Sequence, residues 1–322
     1  MSLTSSLLTV QQCLTRYGML VYTVFGSIGL LINAVIFTRS LHRRTSVNLY
    51  MLSTTWCALI GLLVTAIPMI YEVDNYNPLT TYPFYCEGIF YIRHAFNQMM
   101  RTFFILTCID RAAVSSMNPN IRSFGNCRIA IRMIPSVIIF WLAVAWFPSK
   151  QRALVNGRCD VGSGIHASLY WIYVTVAVGI IPFLCMITCC LLLKRNLQAM
   201  RRRVQPISSD QPLTNLTLRK RDRDLLRMLF VEIICYTCAI TPLVVLFHYK
   251  LITQSMVKSQ NSLAIESFCY YFTGSFLLYI NNCLPFWIYL STSQSFRIEF
   301  KNLIINGYSI VRNTEIPTMR TN

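Results

Sequence analysis

Apolar positions along this chain of 322 residues gather into long runs that short polar segments separate. Each run is close to the length of about 20 apolar residues that an α-helix needs to cross a bilayer. The pattern therefore predicts an all-α membrane protein, built as a seven-transmembrane helix bundle. The predicted spans are residues 17–38, 47–70, 84–110, 131–148, 169–193, 225–248 and 264–290.

Composition agrees with a bilayer as the solvent. Hydrophobic residues make up 54% of the chain, charged residues 13%, and the mean hydropathy is +0.48, which is not a soluble composition. The run 17–38 is longer than the apolar core of a signal peptide, and no small-residue cleavage site follows it. We interpret it as the first span.

Basic residues orient the predicted bundle. With the N-terminus outside, the connections on the cytoplasmic side hold 18 Lys and Arg residues, and the outer segments hold 6. An anionic inner leaflet then explains most of the net charge of +17, and no DNA or RNA motif is present. We expect a lipid bilayer as a partner and no nucleic acid.

Four regions follow from this topology. We predict an extracellular N-terminus at 1–16, a seven-helix receptor domain at 17–292, an amphipathic helix at 293–305 and a cytoplasmic tail at 306–322. The short eighth helix is expected on the inner leaflet because apolar side chains recur there at helical spacing among charged ones. Those apolar positions are Phe296, Phe300, Leu303 and Ile304.

Polar residues within the predicted spans are candidates for function, because an ionisable group in a bilayer is costly. In the third span Arg93, Asn97 and Arg101 are four residues apart and share one helix face, which cannot point at lipid. That face, with His94 and Gln98 beside it, either lines a ligand pocket or bonds to neighbouring helices. The single Asn33 of the first span likewise fits an interhelical contact or a signalling role.

Cysteine usage predicts one disulfide and no metal site. Most of the 13 cysteines lie inside apolar runs, but Cys86 and Cys159 both fall on the predicted outer, oxidising face. No metal-ligand spacing, Gly-rich phosphate loop or zinc-type His/Glu motif is present. We therefore expect no cofactor and no enzymatic activity.

Taken together, these features resemble a rhodopsin-like (class A) G-protein-coupled receptor over residues 17–305. The 25-residue separation of Cys86 and Arg111 is the family's separation between its disulfide Cys and its motif Arg. Further residues occupy family landmark positions in four spans and in the second outer loop. These residues are Asn33, Trp141, Pro182, Pro242 and Cys159. The resemblance implies a plasma-membrane receptor for an extracellular ligand that couples to a heterotrimeric G protein.

The resemblance also implies a switch at the inner end of the bundle. Arg111 would be held in the resting state by Asp110 and by Asp222, which lies 20 residues before the span-six proline. Release of Arg111 on activation would let it meet the G protein, so neutralising Asp222 should raise ligand-free signalling. Tyr289 and Phe296 keep the interval of seven residues that the family has in and after span seven.

Three departures from the family pattern alter the expected interior. Ala58 stands at the position of the central span-two Asp, Ile240 at that of the span-six Trp, and Pro285 is displaced by one position in span seven. The family's sodium site is therefore not expected. We interpret Arg101 and Glu232, opposite charges at similar depth, as replacing part of the lost polar network.

Ligand chemistry is indicated by Arg93, which stands where amine receptors of the family carry an Asp. A cation there repels a monoamine, and the absence of Lys from 264–290 excludes an opsin. Arg93 favours a carboxylate or amide terminus, with Arg152, Tyr170 and Glu266 in a polar and aromatic rim.

The overall sequence is similar to invertebrate FMRFamide-like neuropeptide receptors, which implies a peptide ligand. Two alternatives remain open. One is a membrane transporter. The other is a divergent seven-helix receptor that binds a small anionic chemosensory ligand or no longer signals.

Overall fold

The computed structural model describes residues 3–40, 45–75, 82–116, 118–155, 158–161, 165–203, 213–253 and 256–314. Helices dominate this part of the chain. The first six are α1 (Leu3–Cys13), α2 (Leu20–Ser40), α3 (Ser46–Glu72), α4 (Pro83–Val114), α5 (Pro119–Arg122) and α6 (Cys127–Val144). The remaining ones are α7 (Trp146–Lys150), α8 (Ile165–Tyr173), α9 (Ile181–Arg203), α10 (Leu213–Ile252), α11 (Gln260–Tyr271), α12 (Leu278–Thr292) and α13 (Gln294–Thr314).

Six helical stretches in the described residues are long and apolar enough to cross a bilayer. They are Leu3–Arg39, Ser46–Glu72, Cys127–Lys150, Ala167–Asn196, Asp224–Lys250 and Gln260–Thr292. Large apolar side chains on their surfaces are exposed, among them Phe25, Ile139, Phe140, Leu191 and Val245. A soluble monomer rarely exposes so much apolar surface. The chain is a helical, multi-pass membrane protein.

The predicted span 84–110 is the one that does not meet this measure of apolarity. It lies within α4, whose 32 residues include several charges. These charges are Glu87, Arg93, Arg101, Asp110 and Arg111. α4 nevertheless packs against α3, α6, α9 and strand β1 (Arg152–Val155), so its polar face meets protein.

The first helical stretch extends further than the sequence predicts. Residues 3–13, expected in the N-terminal segment, form α1, and a π-helical segment, Leu14–Met19, joins it to α2 without a break. No Gly or Pro interrupts the chain before Gly18. α1 packs against α11, and the hydroxyls of Thr15 and Tyr271 lie 2.6 Å apart.

α2 and α12 approach each other closely at two glycines. A Cβ atom on Gly26 would lie 2.7 Å from the Cβ of Cys283, and one on Gly29 would lie 2.9 Å from the Cβ of Phe286. Glycine removes the side chain that would hold the helices apart, as is common where helices meet in membranes.

A short β-hairpin covers one end of α4, which we call the Cys86 end. Strand β1 pairs antiparallel with β2 (Arg158–Val161), with Leu154 opposite Cys159. The predicted disulfide is confirmed: Cys159 is bonded to Cys86, with 5.8 Å between the two Cα atoms. The all-α prediction did not include this hairpin, because four-residue strands in a polar loop carry little periodic signal.

We call the other end of α4 the Arg111 end. A further helix, α13, packs against α12, α10 and α2. This helix begins at Gln294, close to the predicted position 293, and continues to Thr314, beyond the predicted 305. Phe296 is buried against the rings of Phe286 and Tyr289, with centroid distances of 6.0 and 5.7 Å. These rings attach the start of α13 to α12.

Candidate functional site

A cavity of about 70 Å³ opens beside α4 towards the Cys86 end. Its walls come from α4, β1, α8, the π-helical segment Val174–Ile180, α10, α11 and the α12 region. The lining residues are Phe90, Arg93, His94, Asn97, Arg101, Arg152, Tyr170, Val174, Val178, Leu243, Phe247, Tyr270, Gly274, Leu278 and Tyr279.

Four predicted ligand-contact residues line this cavity, and two do not. Arg93, His94, Asn97 and Tyr170 are part of its wall. Gln98 is turned away and instead accepts a hydrogen bond from Arg101 at its Oε1 atom, at 2.7 Å. Glu266 also lies outside the lining, with its Oε1 atom 2.6 Å from the Nζ atom of Lys258.

The entrance of the cavity combines guanidinium groups with aromatic rings. Arg152 of β1 lies 4.2 Å from the ring centroid of Phe90 and 5.0 Å from that of Tyr170. It also donates a hydrogen bond from Nη2 to the Tyr170 hydroxyl, at 2.6 Å. Arg93 lies 5.1 Å from the Phe90 centroid. The disulfide holds the hairpin, and therefore Arg152, over the cavity.

Two polar side chains of α4 are fixed by contacts with other helices. The Nε2 atom of His94 lies 2.9 Å from the hydroxyl of Tyr173, and its ring stacks on Phe90 at 5.6 Å. The Oδ1 atom of Asn97 accepts a hydrogen bond from Asn282 of α12, at 2.9 Å. The polar face of α4 thus lines a cavity and also bonds to neighbouring helices, so both readings of its sequence describe part of it.

Arg101 and Glu232 both enter buried polar contacts, but not with each other. Arg101 donates to Gln98 and lies 5.7 Å from the ring centroid of Tyr236. Glu232 accepts a hydrogen bond from the Tyr289 hydroxyl at 3.1 Å. Their similar depth in the sequence did not determine which way each helix turns its side chain.

The Arg111 end holds the predicted charged pair. Asp110 accepts hydrogen bonds from Nε and Nη2 of Arg111 at 3.0 and 2.5 Å, and both side chains are buried. The side chain of Asp222 lies outside the described residues, so its predicted contact with Arg111 stays a prediction. Two residues further along α10, Asp224 is buried and accepts from the backbone N–H of Gln294 at 3.2 Å.

The other predicted landmarks lie in or between the helices. Trp141 donates to Thr102 of α4 from Nε1 at 2.8 Å. Asn33 is fully buried, and its amide has no hydrogen-bond partner in the described part of the chain. Prolines occur at the second residue of α9 and inside α10 and α12, namely Pro182, Pro242 and Pro285.

Comparison with known proteins adds no family. No protein-family model matches the chain, and no curated protein sequence matches it either. Among the described residues, no group of three or more His, Cys, Asp or Glu side chains is placed to hold a metal ion. The site is therefore interpreted from its own geometry.

Sequence reasoning missed the aromatic and apolar wall of the cavity. Phe247 and Tyr270 both line it, from α10 and α11. Inside a membrane span an aromatic residue that faces a pocket looks the same in sequence as one that faces lipid. The cation of Arg152 was named in the rim, but its place above Phe90 required the hairpin.

Proposed function

We propose that the chain is a plasma-membrane receptor of the rhodopsin-like G-protein-coupled class. In this proposal it couples binding of an extracellular neuropeptide to an intracellular heterotrimeric G protein. The observation that carries the proposal is the construction of α4. This one helix contributes Arg93 and Arg101 to a cavity and ends in the buried Asp110–Arg111 pair.

The proposed arrangement counts α4 as the third of seven membrane-spanning helices. The charges of Arg101, Asp110 and Arg111 are compatible with this position because all three residues are buried. We place the N-terminus and the Cys86 end outside, since the excess of basic residues then faces the cytoplasm. α13 would lie on the inner leaflet as an eighth, amphipathic helix.

A peptide terminus suits the cavity better than a monoamine. The lining includes the guanidinium groups of Arg93, Arg101 and Arg152, which repel an ammonium group. Guanidinium groups bind carboxylate and carbonyl oxygens, and the rings of Phe247 and Tyr270 offer contact area to apolar side chains.

The Asp110–Arg111 pair would act as the switch. A buried ion pair is weak support for stability, but it suits an element with two states. In the resting state Asp110 forms an ion pair with the guanidinium group of Arg111. On activation the group would be released towards the G protein, as the resemblance implies.

The decisive experiment measures G-protein activation in cells that express the full chain. Short peptides with free or amidated termini, and monoamines as a comparison, are applied to the wild type and to Arg111→Ala. Arg122→Ala is the matched control, because Arg122 lies on α5, is exposed and carries the same charge. We expect a peptide response that Arg111→Ala abolishes and Arg122→Ala retains at equal surface expression. A response that survives in Arg111→Ala would contradict the proposed switch.

Transport is the second candidate function, because ionisable side chains lining a cavity within membrane helices also mark substrate paths. The same cells are therefore tested for uptake of labelled peptides and small carboxylates. Uptake without nucleotide exchange on any G protein would replace the receptor proposal with transport.

A further inference from the structure

Arg101 is a buried cation at the inner limit of the cavity, and its charge has no carboxylate partner among the described residues. Arg101 is 5% exposed, and within the described part of the chain its one hydrogen bond runs to the neutral Oε1 atom of Gln98. The Nε atom has no hydrogen-bond partner there. Glu232, the acid at a similar depth in the sequence, bonds to Tyr289.

The surroundings of Arg101 raise the electrostatic cost of its positive charge. Arg93 and Arg152 line the same cavity, and no Asp or Glu is among the described residues that line it. Three guanidinium groups that line one cavity repel one another, and the buried charge of Arg101 is costly unless a group of opposite charge accompanies it. A ligand that brings negative charge would relieve both costs.

The position of Arg101 indicates how such a ligand would lie. Arg93 and Arg101 are eight residues apart on α4, which places Arg101 about 12 Å further along the helix axis. Arg93 is partly exposed and Arg101 is buried. Between the Cys86 end and Arg101, the aromatic residues Phe90, Tyr170 and Phe247 form part of the wall.

We propose that the cavity binds its ligand through a carboxylate that seats at Arg101, with an apolar or aromatic body along the ring wall. This inference rests on the proposed receptor function and narrows its ligand. A guanidinium group binds a carboxylate through two parallel hydrogen bonds, whereas a neutral amide supplies no charge. The anchoring group is therefore a free acid, such as a peptide C-terminus or an acidic side chain, and an amidated terminus does not anchor at Arg101.

The proposed carboxylate position at Arg101 is also close to a contact between two helical segments. The ring of Tyr236 on α10 lies beside Arg101, and its hydroxyl donates to the carbonyl oxygen of Val178, just before α9. A carboxylate at Arg101 would bind next to the side chain that joins α10 to the Val174–Ile180 segment.

The test measures thermal unfolding of the purified full chain in lipid nanodiscs. The main probes are 3-phenylpropionate and 3-phenylpropionamide, which share a shape and differ in charge, with acetate and N-acetylphenylalanine as further carboxylates. We expect the acid to raise the unfolding midpoint of the wild type, with an apparent affinity at least about tenfold above that of the amide. The shift should disappear in Arg101→Met, and Arg101→Lys, which keeps a cation without the planar fork, should retain part of it.

Lys150→Met is the matched control, because it removes one positive charge from a half-exposed side chain outside the cavity lining. It should keep the full response to the acid. The proposal is overturned if acid and amide give equal shifts, if Arg101→Met keeps the acid shift, or if none of the carboxylates shifts the wild type.

These outcomes are independent of the receptor proposal, since the assay contains no G protein. Carboxylate binding in a chain that activates no G protein would support the proposed site and contradict the proposed signalling function. Signalling by an amidated peptide that is insensitive to Arg101→Met would do the reverse.

Discussion

Replacing Tyr289 by Phe removes a single hydroxyl from the buried interior. That hydroxyl donates a hydrogen bond to the Oε2 atom of Glu232, at 3.1 Å, and so joins α12 to α10. The ring packs against Phe37 and Phe296, with centroid distances of 6.1 and 5.7 Å. Because phenylalanine keeps these ring contacts, the change in stability reports the hydroxyl alone.

The expected size follows from burial. Glu232 is 8% exposed, Tyr289 is 1% exposed, and the tyrosine hydroxyl is the one hydrogen-bond partner of the Glu232 carboxyl among the described residues. Leaving a buried polar group unsatisfied costs about 1–3 kcal/mol, although hydrogen bonds between membrane helices average only about 0.6 kcal/mol. We expect Tyr289→Phe to lower the free energy of unfolding by about 1–2 kcal/mol.

The assay is equilibrium unfolding in mixed micelles with increasing SDS, arranged as a double-mutant cycle with Glu232→Leu. In the Glu232→Leu background the hydroxyl has lost its carboxylate acceptor and keeps only the weak Sδ acceptor of Met51, at 4.0 Å. Tyr289→Phe should then cost less than about 0.5 kcal/mol. Tyr17→Phe, the same change at a side chain that is 63% exposed, controls for loss of a hydroxyl. An equal cost of Tyr289→Phe in both backgrounds would refute the reasoning.

Two further predictions concern packing and covalent structure. Gly26→Ala should lower the unfolding midpoint, because its new Cβ would lie 2.7 Å from the Cβ of Cys283; overpacking costs about 1–3 kcal/mol. Gly88→Ala is its control: apart from its own stretch of helix, no described atom lies within 4 Å of the new Cβ, so helix propensity should leave this variant as stable as the wild type or slightly more so. Cys86→Ser removes the disulfide that holds the hairpin with Arg152. Loss of this disulfide should lower the free energy of unfolding by about 2–5 kcal/mol and reduce surface expression, measured by flow cytometry of intact cells.

Features set by local spacing could be predicted from the sequence. The spacing of four residues placed Arg93, Asn97 and Arg101 on one face, and the structure brings all three to one cavity. Adjacency alone brought Asp110 to Arg111, and the two cysteines expected on the outer face, Cys86 and Cys159, form the disulfide.

Features that depend on helix rotation and on loops could not be predicted. Glu232 bonds to Tyr289 because α10 turns it towards α12, and depth in the sequence carries no information about that rotation. The hairpin that positions Arg152 has two strands of four residues each, and strands of this length are too short to give a periodic signal in the sequence. Asp224 meets Gln294 only because α13 begins beside α10.

The charges of α4 also bear on how the protein enters its membrane during synthesis. Each Arg at the centre of an inserting helix costs about 2.5–3.5 kcal/mol, and α4 carries Arg93 and Arg101 along its length. In the proposed seven-helix arrangement, α4 would not leave the translocon for lipid alone. It would enter the lipid only together with α3, against which it packs along its length, and with α6, whose Trp141 bonds to it. Insertion would then be a joint event of several helices, and a folding defect in α3 would appear as a failure to integrate α4.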